Sequence, residues 1–395
     1  MRGLLEDAVL PLESVVLLVA GIAMLLAGSL LFPVIAGVLP YYENGLLGLL
    51  LFMYALQMIT LGKTPFGDRP KSKWLMAAGV AAAALGFVTC FIPGVSSQIS
   101  RWLLFLCLGP GSVLLLWQLY SNEDKYAAWV KYGGIFKTLL YSCTVVYVLS
   151  LCLAAVVWEP AALAAPLIAV LLLLYGAALL NLALVLRRVY RDYPAAEQQS
   201  LERGLSMDKA SMLLVGVFVA LLGVVMLPVN LNLLPFSGSA QLGLLMVIFA
   251  VKILATGSTP LGAFRRTWLM ILLGVLMVIP GVVSCIIPEI LVFELTLTIG
   301  VLNVLEGIIT LVKTSATVLK QPSFDLKTTP VIFIKLFVTQ MALGVLAVLF
   351  GSSMLIAHLI PGLLVGLILI GNGGVLLYLL KLLGDLEKLE AESLG

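Results

Sequence analysis

The hydrophobic and polar positions of this chain fall into long blocks, in which apolar runs alternate with short polar connectors. A run of about 20 apolar residues crosses a hydrocarbon core of about 30 Å as a helix. None of the runs alternates with the period of two that outer-membrane strands show. Because a backbone in lipid must satisfy its own hydrogen bonds, we predict an all-α polytopic membrane protein with about twelve transmembrane helices. They are expected near residues 13–33, 45–62, 74–93, 101–120, 135–158, 161–186, 210–233, 240–258, 267–287, 290–312, 331–357 and 360–383.

Composition and charge agree with this class. Hydrophobic residues make up 62% of the 395 residues and charged residues 11%, whereas a soluble domain carries roughly a quarter charged residues. If the amino terminus is inside, the predicted outer loops hold one basic residue, Arg101, and the inner segments hold nearly all the others. Since Lys and Arg are retained on the cytoplasmic side, both termini are predicted to be cytoplasmic. The net charge of +3 gives no indication of a nucleic-acid partner.

Two connectors share a pattern, T-P-x-G at the start and W-L-M at the end: "TPFGDRPKSKWLM" begins at Thr64 and "TPLGAFRRTWLM" at Thr259. The chain aligns with itself at this offset of 195 residues, and glycines and prolines carry the match. The aligned pairs include Gly21/Gly216, Gly28/Gly223, Pro33/Pro228, Pro40/Pro235, Gly48/Gly243, Gly62/Gly257, Pro65/Pro260 and Gly67/Gly262, with Pro166/Pro361 and Gly176/Gly371 in the last third. We predict two parallel six-helix repeats, 1–190 and 210–395, each of three hairpins, joined by a charged cytoplasmic linker at 191–209.

Small residues recur at a finer spacing. Glycines seven residues apart, such as Gly21 and Gly28, form a stripe along one helix face. Such stripes let neighbouring backbones approach closely, and a pore lining is the alternative. In the fourth span, Pro110 stands between Gly109 and Gly111 and predicts a kink or a break.

Charges inside spans cost roughly 2.5–3.5 kcal/mol each and therefore need a reason. Lys252 and Glu306 are predicted at similar depths, with Asn303 one turn from Glu306. They form a possible intramembrane polar cluster, interpreted either as a polar pocket or ion route, or as an internal ion pair with a snorkelling lysine. The lone histidine, His358, and five scattered cysteines give no metal, cofactor or catalytic motif.

The stretch "TWLMILLGVLMVIPGVVSCIIPEILVFELTLTIGVLNVLEGIITLV", at residues 267–312, resembles the HdeD-like family of bacterial inner-membrane proteins. The shared features are a tryptophan, a first helix with spaced glycines, a proline at the outer turn and a second helix ending in "IG" and "LEGI". The family has three such hairpins in six helices, so this chain would be that unit doubled. The resemblance implies a bacterial or archaeal cytoplasmic-membrane protein, from a family that is loosely associated with acid stress and has no established catalytic residues.

These observations favour a non-enzymatic membrane protein that acts as a scaffold or as a subunit of a larger membrane assembly. Its expected partners are the lipid bilayer and other membrane subunits. A transporter or channel for a small solute, with its site around Lys252 and Glu306, is the alternative. An intramembrane enzyme would have Glu294 and Glu306 as its plausible acids.

Overall fold

The all-α polytopic fold is confirmed by a computed structural model, which describes residues 10–68, 72–94, 97–121, 134–159, 163–193, 205–259, 262–263, 266–319, 331–356 and 359–394. The first helices in the described residues are α1 (Leu12–Ile35), α2 (Glu43–Leu61), α3 (Lys73–Phe91), α4 (Ser97–Leu108), α5 (Pro110–Ser121), α6 (Ile135–Trp158) and α7 (Ala165–Asp192). They are followed by α8 (Met207–Asn230), α9 (Gly238–Thr256), α10 (Trp268–Ile286), α11 (Val292–Leu319), α12 (Val331–Leu355) and α13 (Gly362–Leu394). Twelve stretches are long and apolar enough to cross a membrane, because α4 and α5 count as one span.

The break in the fourth span lies where the sequence predicts it. Helix α4 ends at Leu108 and α5 begins at Pro110. Proline has no backbone N–H to donate, so the ladder is interrupted at this position. The flanking hydrogen bonds persist, from Gly109 N–H to the Phe105 carbonyl at 2.8 Å and from Val113 N–H to the Gly109 carbonyl at 3.1 Å. The two helices therefore remain a single span with one interruption in its hydrogen-bond ladder.

Two short β-hairpins follow helices α2 and α9, where the sequence predicts only connectors. Gly62 and Gly257 end these helices in the left-handed conformation, with φ of 64° and 72°, which favours glycine. In the first hairpin, Thr64 Oγ1 accepts from Phe66 N–H at 3.2 Å and donates to the Gly67 carbonyl at 2.7 Å. The antiparallel pairs are β1 (Lys63–Thr64) with β2 (Gly67–Asp68) and β3 (Ser258–Thr259) with β4 (Gly262–Ala263).

The chain divides into two compact units. Unit 1 takes its described residues from 1–210, 236–257 and 264–292, and unit 2 takes its described residues from 211–235, 258–263 and 293–395. Unit 1 thus groups helices α9 and α10 with α1–α7. This division follows packing, whereas the repeats 1–190 and 210–395 follow sequence similarity and stay a prediction. The linker proposed at 191–209 lies largely outside the described residues, as does His358.

Helices α2, α3, α9 and α10 pack tightly in the core of unit 1 through the glycines noted in the sequence. A Cβ atom added at Gly48 of α2 would lie 2.5 Å from the carbonyl oxygen of Gly86 of α3. The same distance separates a Cβ added at Gly243 of α9 from the carbonyl oxygen of Gly281 of α10. These distances are too short for any side chain, so the glycines serve close packing at these positions, as predicted.

Two backbone hydrogen bonds join these helices in a reciprocal way. The Tyr42 N–H, just before α2, donates to the Ile286 carbonyl at the end of α10 at 2.8 Å. The Ser237 N–H, just before α9, donates to the Phe91 carbonyl at the end of α3 at 2.9 Å. The two donors are 195 residues apart (42 + 195 = 237), and so are the two acceptors (91 + 195 = 286).

Glycine contacts also join α1 to α7 in unit 1 and α8 to α13 in unit 2. In unit 1, a Cβ at Gly21 of α1 would lie 3.1 Å from the Gly176 carbonyl oxygen of α7. In unit 2, a Cβ at Gly216 of α8 would lie 3.5 Å from the Gly373 carbonyl oxygen of α13. Gly373 therefore takes the position that the sequence alignment gave to Gly371, a shift of two residues. The alignment was wrong there because similarity is weak in the last span.

Candidate functional site

Three polar side chains meet at one end of unit 1 and form what we call the Glu13 cluster: Glu13, Lys63 and Tyr190. Glu13 lies in the first turn of α1 and is 5% exposed. The Lys63 ammonium forms an ion pair with Glu13 Oε1. The Tyr190 hydroxyl donates to Glu13 Oε2. Both oxygens of a buried carboxylate are thus engaged, as a buried charge requires.

Each member of the cluster comes from a different element. Helices α1 and α7 pack along their lengths, which brings Tyr190, near the end of α7, to the first turn of α1. The left-handed Gly62 ends α2 and turns the chain into β1, whose first residue is Lys63. The cluster therefore fixes the β1–β2 hairpin and the end of α7 to the start of α1.

Arg266 makes a second polar connection in the same unit. Its Nη2 atom donates to the Leu10 carbonyl at 2.6 Å and to the Leu254 carbonyl at 3.0 Å. Leu254 belongs to the last turn of α9, where carbonyl groups lack partners within the helix. Arg266 therefore joins the segment before α10 to the end of α9 and to the segment before α1.

The chemistry that the Glu13 cluster can support is binding and positioning. An ion pair to one oxygen and a hydrogen bond to the other hold the Glu13 carboxylate in one orientation. Lys63 is 35% exposed at its side chain, so the ion pair has one end near water. Such an arrangement is suited to holding helices in place.

Another ion pair lies between the first residue of α2, Glu43, and Arg101, near the start of α4. Arg101 donates to Glu43 through Nε to Oε1 at 3.0 Å and through Nη2 to Oε2 at 2.6 Å. This is the bidentate geometry that a guanidinium forms with a carboxylate. Arg101 is the one basic residue of the predicted outer loops, and the pair joins the start of α2 to α4.

The polar cluster predicted from the sequence stays a prediction. Lys252 lies on α9 in unit 1 and is partly buried, whereas Asn303 and Glu306 lie on α11 in unit 2 and are also partly buried. The Asn303 amide donates to the Ile299 carbonyl of its own helix at 2.8 Å. Part of its hydrogen-bonding capacity is thus satisfied locally.

Sequence reasoning missed the Glu13 cluster and the Glu43–Arg101 pair. From the sequence, Arg101 is only an orientation signal, and neither Lys63 nor Glu13 is singled out. A usable signal existed, because an acid at the start of one span and a lysine at the end of the next lie on the same membrane side. Nothing in the sequence indicates that Tyr190 joins them, since that contact depends on α7 packing against α1.

Comparison of the chain with protein-family models, with curated proteins and with solved structures gives no match. Among the described residues, no three His, Cys, Asp or Glu side chains are grouped in a way that could hold a metal ion. What the fold itself establishes is an integral, multi-pass membrane protein in contact with the lipid bilayer.

Proposed function

We propose that this protein is a non-enzymatic scaffold, or a structural subunit of a larger membrane assembly. The observation that supports this most is the packing of unit 1 around Gly48, Gly86, Gly243 and Gly281. Helix backbones touch there, since an added Cβ at Gly48 or Gly243 would lie 2.5 Å from a carbonyl oxygen. A solute pathway needs space between helices, and this packing leaves none at the Gly48–Gly86 contact of α2 with α3 or at the Gly243–Gly281 contact of α9 with α10.

The polar contacts support the same function. The Glu13 cluster and the Glu43–Arg101 pair each connect the ends of different helices. Arg266 adds a third connection between backbone segments. Charges used in this way stabilise one arrangement of helices, as a rigid platform for other subunits requires.

We further propose that the chain is a doubled HdeD-like unit in the cytoplasmic membrane of a bacterium or archaeon. The reciprocal hydrogen bonds at Tyr42 and Ser237, whose donors and acceptors are each 195 residues apart, support an internal repeat. The distribution of basic residues supports cytoplasmic termini. On this proposal the partners are other membrane proteins of the same bilayer.

The test is quantitative purification from the native membrane in a mild detergent. We expect a defined membrane protein to accompany the chain at a fixed molar ratio, and a tag on that protein to recover this chain at the same ratio. In parallel, the purified chain is reconstituted into liposomes loaded with ions and small solutes. The proposal is wrong if the chain purifies alone and its liposomes show solute flux that the Lys252→Met variant abolishes, since that result indicates a transporter.

A further inference from the structure

An apolar groove lies on unit 1 between α2, α3 and α4. Its volume is about 780 Å³, within the range of about 300–1,000 Å³ that small-molecule sites occupy. Tyr54 of α2, Ala78 and Ala82 of α3 and Leu103 of α4 contribute to its walls. These helices are all candidate membrane spans. A ligand of this groove would therefore come from the bilayer.

The β1–β2 hairpin lines the end of the groove where α3 begins. Pro65 and Phe66, at the hairpin turn, line this end. The hairpin is held against α5, because Gln118 Nε2 donates to the Phe66 carbonyl at 3.0 Å. A Cβ added at Gly111 would lie 2.7 Å from the Pro65 carbonyl oxygen, so α5 touches the hairpin backbone. The span α4–α5 is thereby fixed to the hairpin at this end of the groove.

Alanines form the α3 wall, although larger residues stand at the matching positions of α10. Ala78, Ala81 and Ala82 all line the groove. The residues 195 positions later are Leu273, Leu276 and Met277. Leu276 is 54% exposed and fills the equivalent surface of α10 with its own side chain. The alanines of α3 leave that volume open, which favours an occupant at this position.

The length of the groove matches one leaflet. Its α3 wall extends from Trp74 to Leu85. At about 1.5 Å per residue, these eleven steps cover about 16 Å, about half of a hydrocarbon core of about 30 Å. A lipid chain anchored at the membrane surface reaches this depth and no further.

The polar mouth lies at the start of α3. Ser72 and Trp74 line it, and Lys73 between them is exposed. Trp74 is 87% exposed, as suits a ring at the level of the lipid head groups. A lysine at this level attracts the anionic head groups of its leaflet.

From these features we propose that the groove binds one acyl chain of an anionic phospholipid, with the head group at Lys73. The acyl chain lies along the alanine wall of α3, and the hairpin lies beside its head group. This site is independent of the scaffold function, because it depends on α2, α3, α4 and the hairpin alone.

The experiment uses the full chain purified from its membrane in a mild detergent, with retained lipids counted by native mass spectrometry. We expect one retained anionic phospholipid per chain. The triple variant Ala78→Leu, Ala81→Leu and Ala82→Met copies the α10 side chains and fills the groove. It should weaken retention at least about tenfold, which corresponds to about 1.4 kcal/mol. Lys73→Gln should keep a lipid but remove the preference for an anionic head group.

Ala77→Leu is the matched control, because Ala77 is exposed on the same helix and does not line the groove. It should retain lipid like the unaltered chain. A phosphatidylglycerol with a photoreactive acyl chain gives a second measurement on the unaltered chain, and its cross-links should map to residues 74–85 or 103–107. The proposal is overturned if the triple variant, eluting as a folded protein, retains as much lipid as Ala77→Leu. Cross-links spread evenly over the spans would overturn it too.

Discussion

Glu13 and Lys63 form an ion pair that joins the first turn of α1 to the hairpin after α2. The carboxylate is 5% exposed, and the Tyr190 hydroxyl occupies its other oxygen. Removing one partner leaves a buried group without its counter-charge, whereas removing both replaces the pair with neutral side chains. The cost of a single substitution is therefore larger than the pair's net contribution to stability.

We predict that Lys63→Met lowers the free energy of unfolding by about 2 kcal/mol. This is less than for a fully buried pair, because the Lys63 side chain is 35% exposed. The double variant Glu13→Gln and Lys63→Met should lose less than the sum of the two single variants. The measurement is unfolding in mixed micelles with a denaturing detergent. Lys137→Met is the control, since Lys137 is an exposed lysine of α6, and additive losses would contradict the prediction.

The second prediction concerns glycine packing. Gly48→Ala should lower the free energy of unfolding by about 1–3 kcal/mol, because the new Cβ would lie 2.5 Å from the Gly86 carbonyl oxygen. Gly374 of α13 is the matched control, since a Cβ added there meets nothing within 4 Å. Gly374→Ala should be neutral or should stabilise by roughly 0.5–1 kcal/mol through reduced backbone entropy. Equal effects in the two variants would show that the α2–α3 contact is looser than described.

The sequence predicted the spans well because lipid imposes a simple rule of length and apolarity. The fourth span illustrates this, since Pro110 predicted the break that separates α4 from α5. Glycine spacing likewise predicted helix faces on which backbones approach closely, and Gly48 of α2 approaches Gly86 of α3 in this way. Both signals are local, so each can be recognised without knowing which helices are neighbours.

Features that depend on which helices are neighbours were not predictable. Tyr190 reaches Glu13 only because α7 packs against α1. The grouping of α9 and α10 with the first helices in unit 1 has no local signal either. The sequence alone shows that alanines of α3 align with Leu273 and Leu276 of α10. It does not show that these alanines line a groove, because that depends on α4 packing beside α3.

The third prediction tests the β1–β2 hairpin. Gly67 has φ of +121°, a conformation that costs other residues roughly 1–3 kcal/mol. A Cβ there would also lie 2.6 Å from Gln118 Oε1. Gly67→Ala should therefore destabilise the chain to unfolding in mixed micelles. In a Gln118→Ala background the same change should still destabilise, since the backbone strain remains after the contact is removed. A neutral effect in that background would exclude strain as the cause.

The last prediction concerns Arg101 and Glu43, whose side chains are 37% and 40% exposed. Because water and salt screen an exposed pair, Arg101→Gln should lower the free energy of unfolding by only about 0.2–1 kcal/mol. The loss should shrink when the salt concentration rises, since the Debye length falls from about 10 Å at 0.1 M to about 3 Å at 1 M. Arg101→Lys should recover only part of the loss, because an ammonium cannot reproduce the bidentate contact with Glu43. The measurement is mixed-micelle unfolding of the three proteins at both salt concentrations. A loss that salt does not change would show that this pair is shielded from water. A loss larger than that of Lys63→Met would show that the Glu43–Arg101 pair contributes more to stability than the Glu13–Lys63 pair.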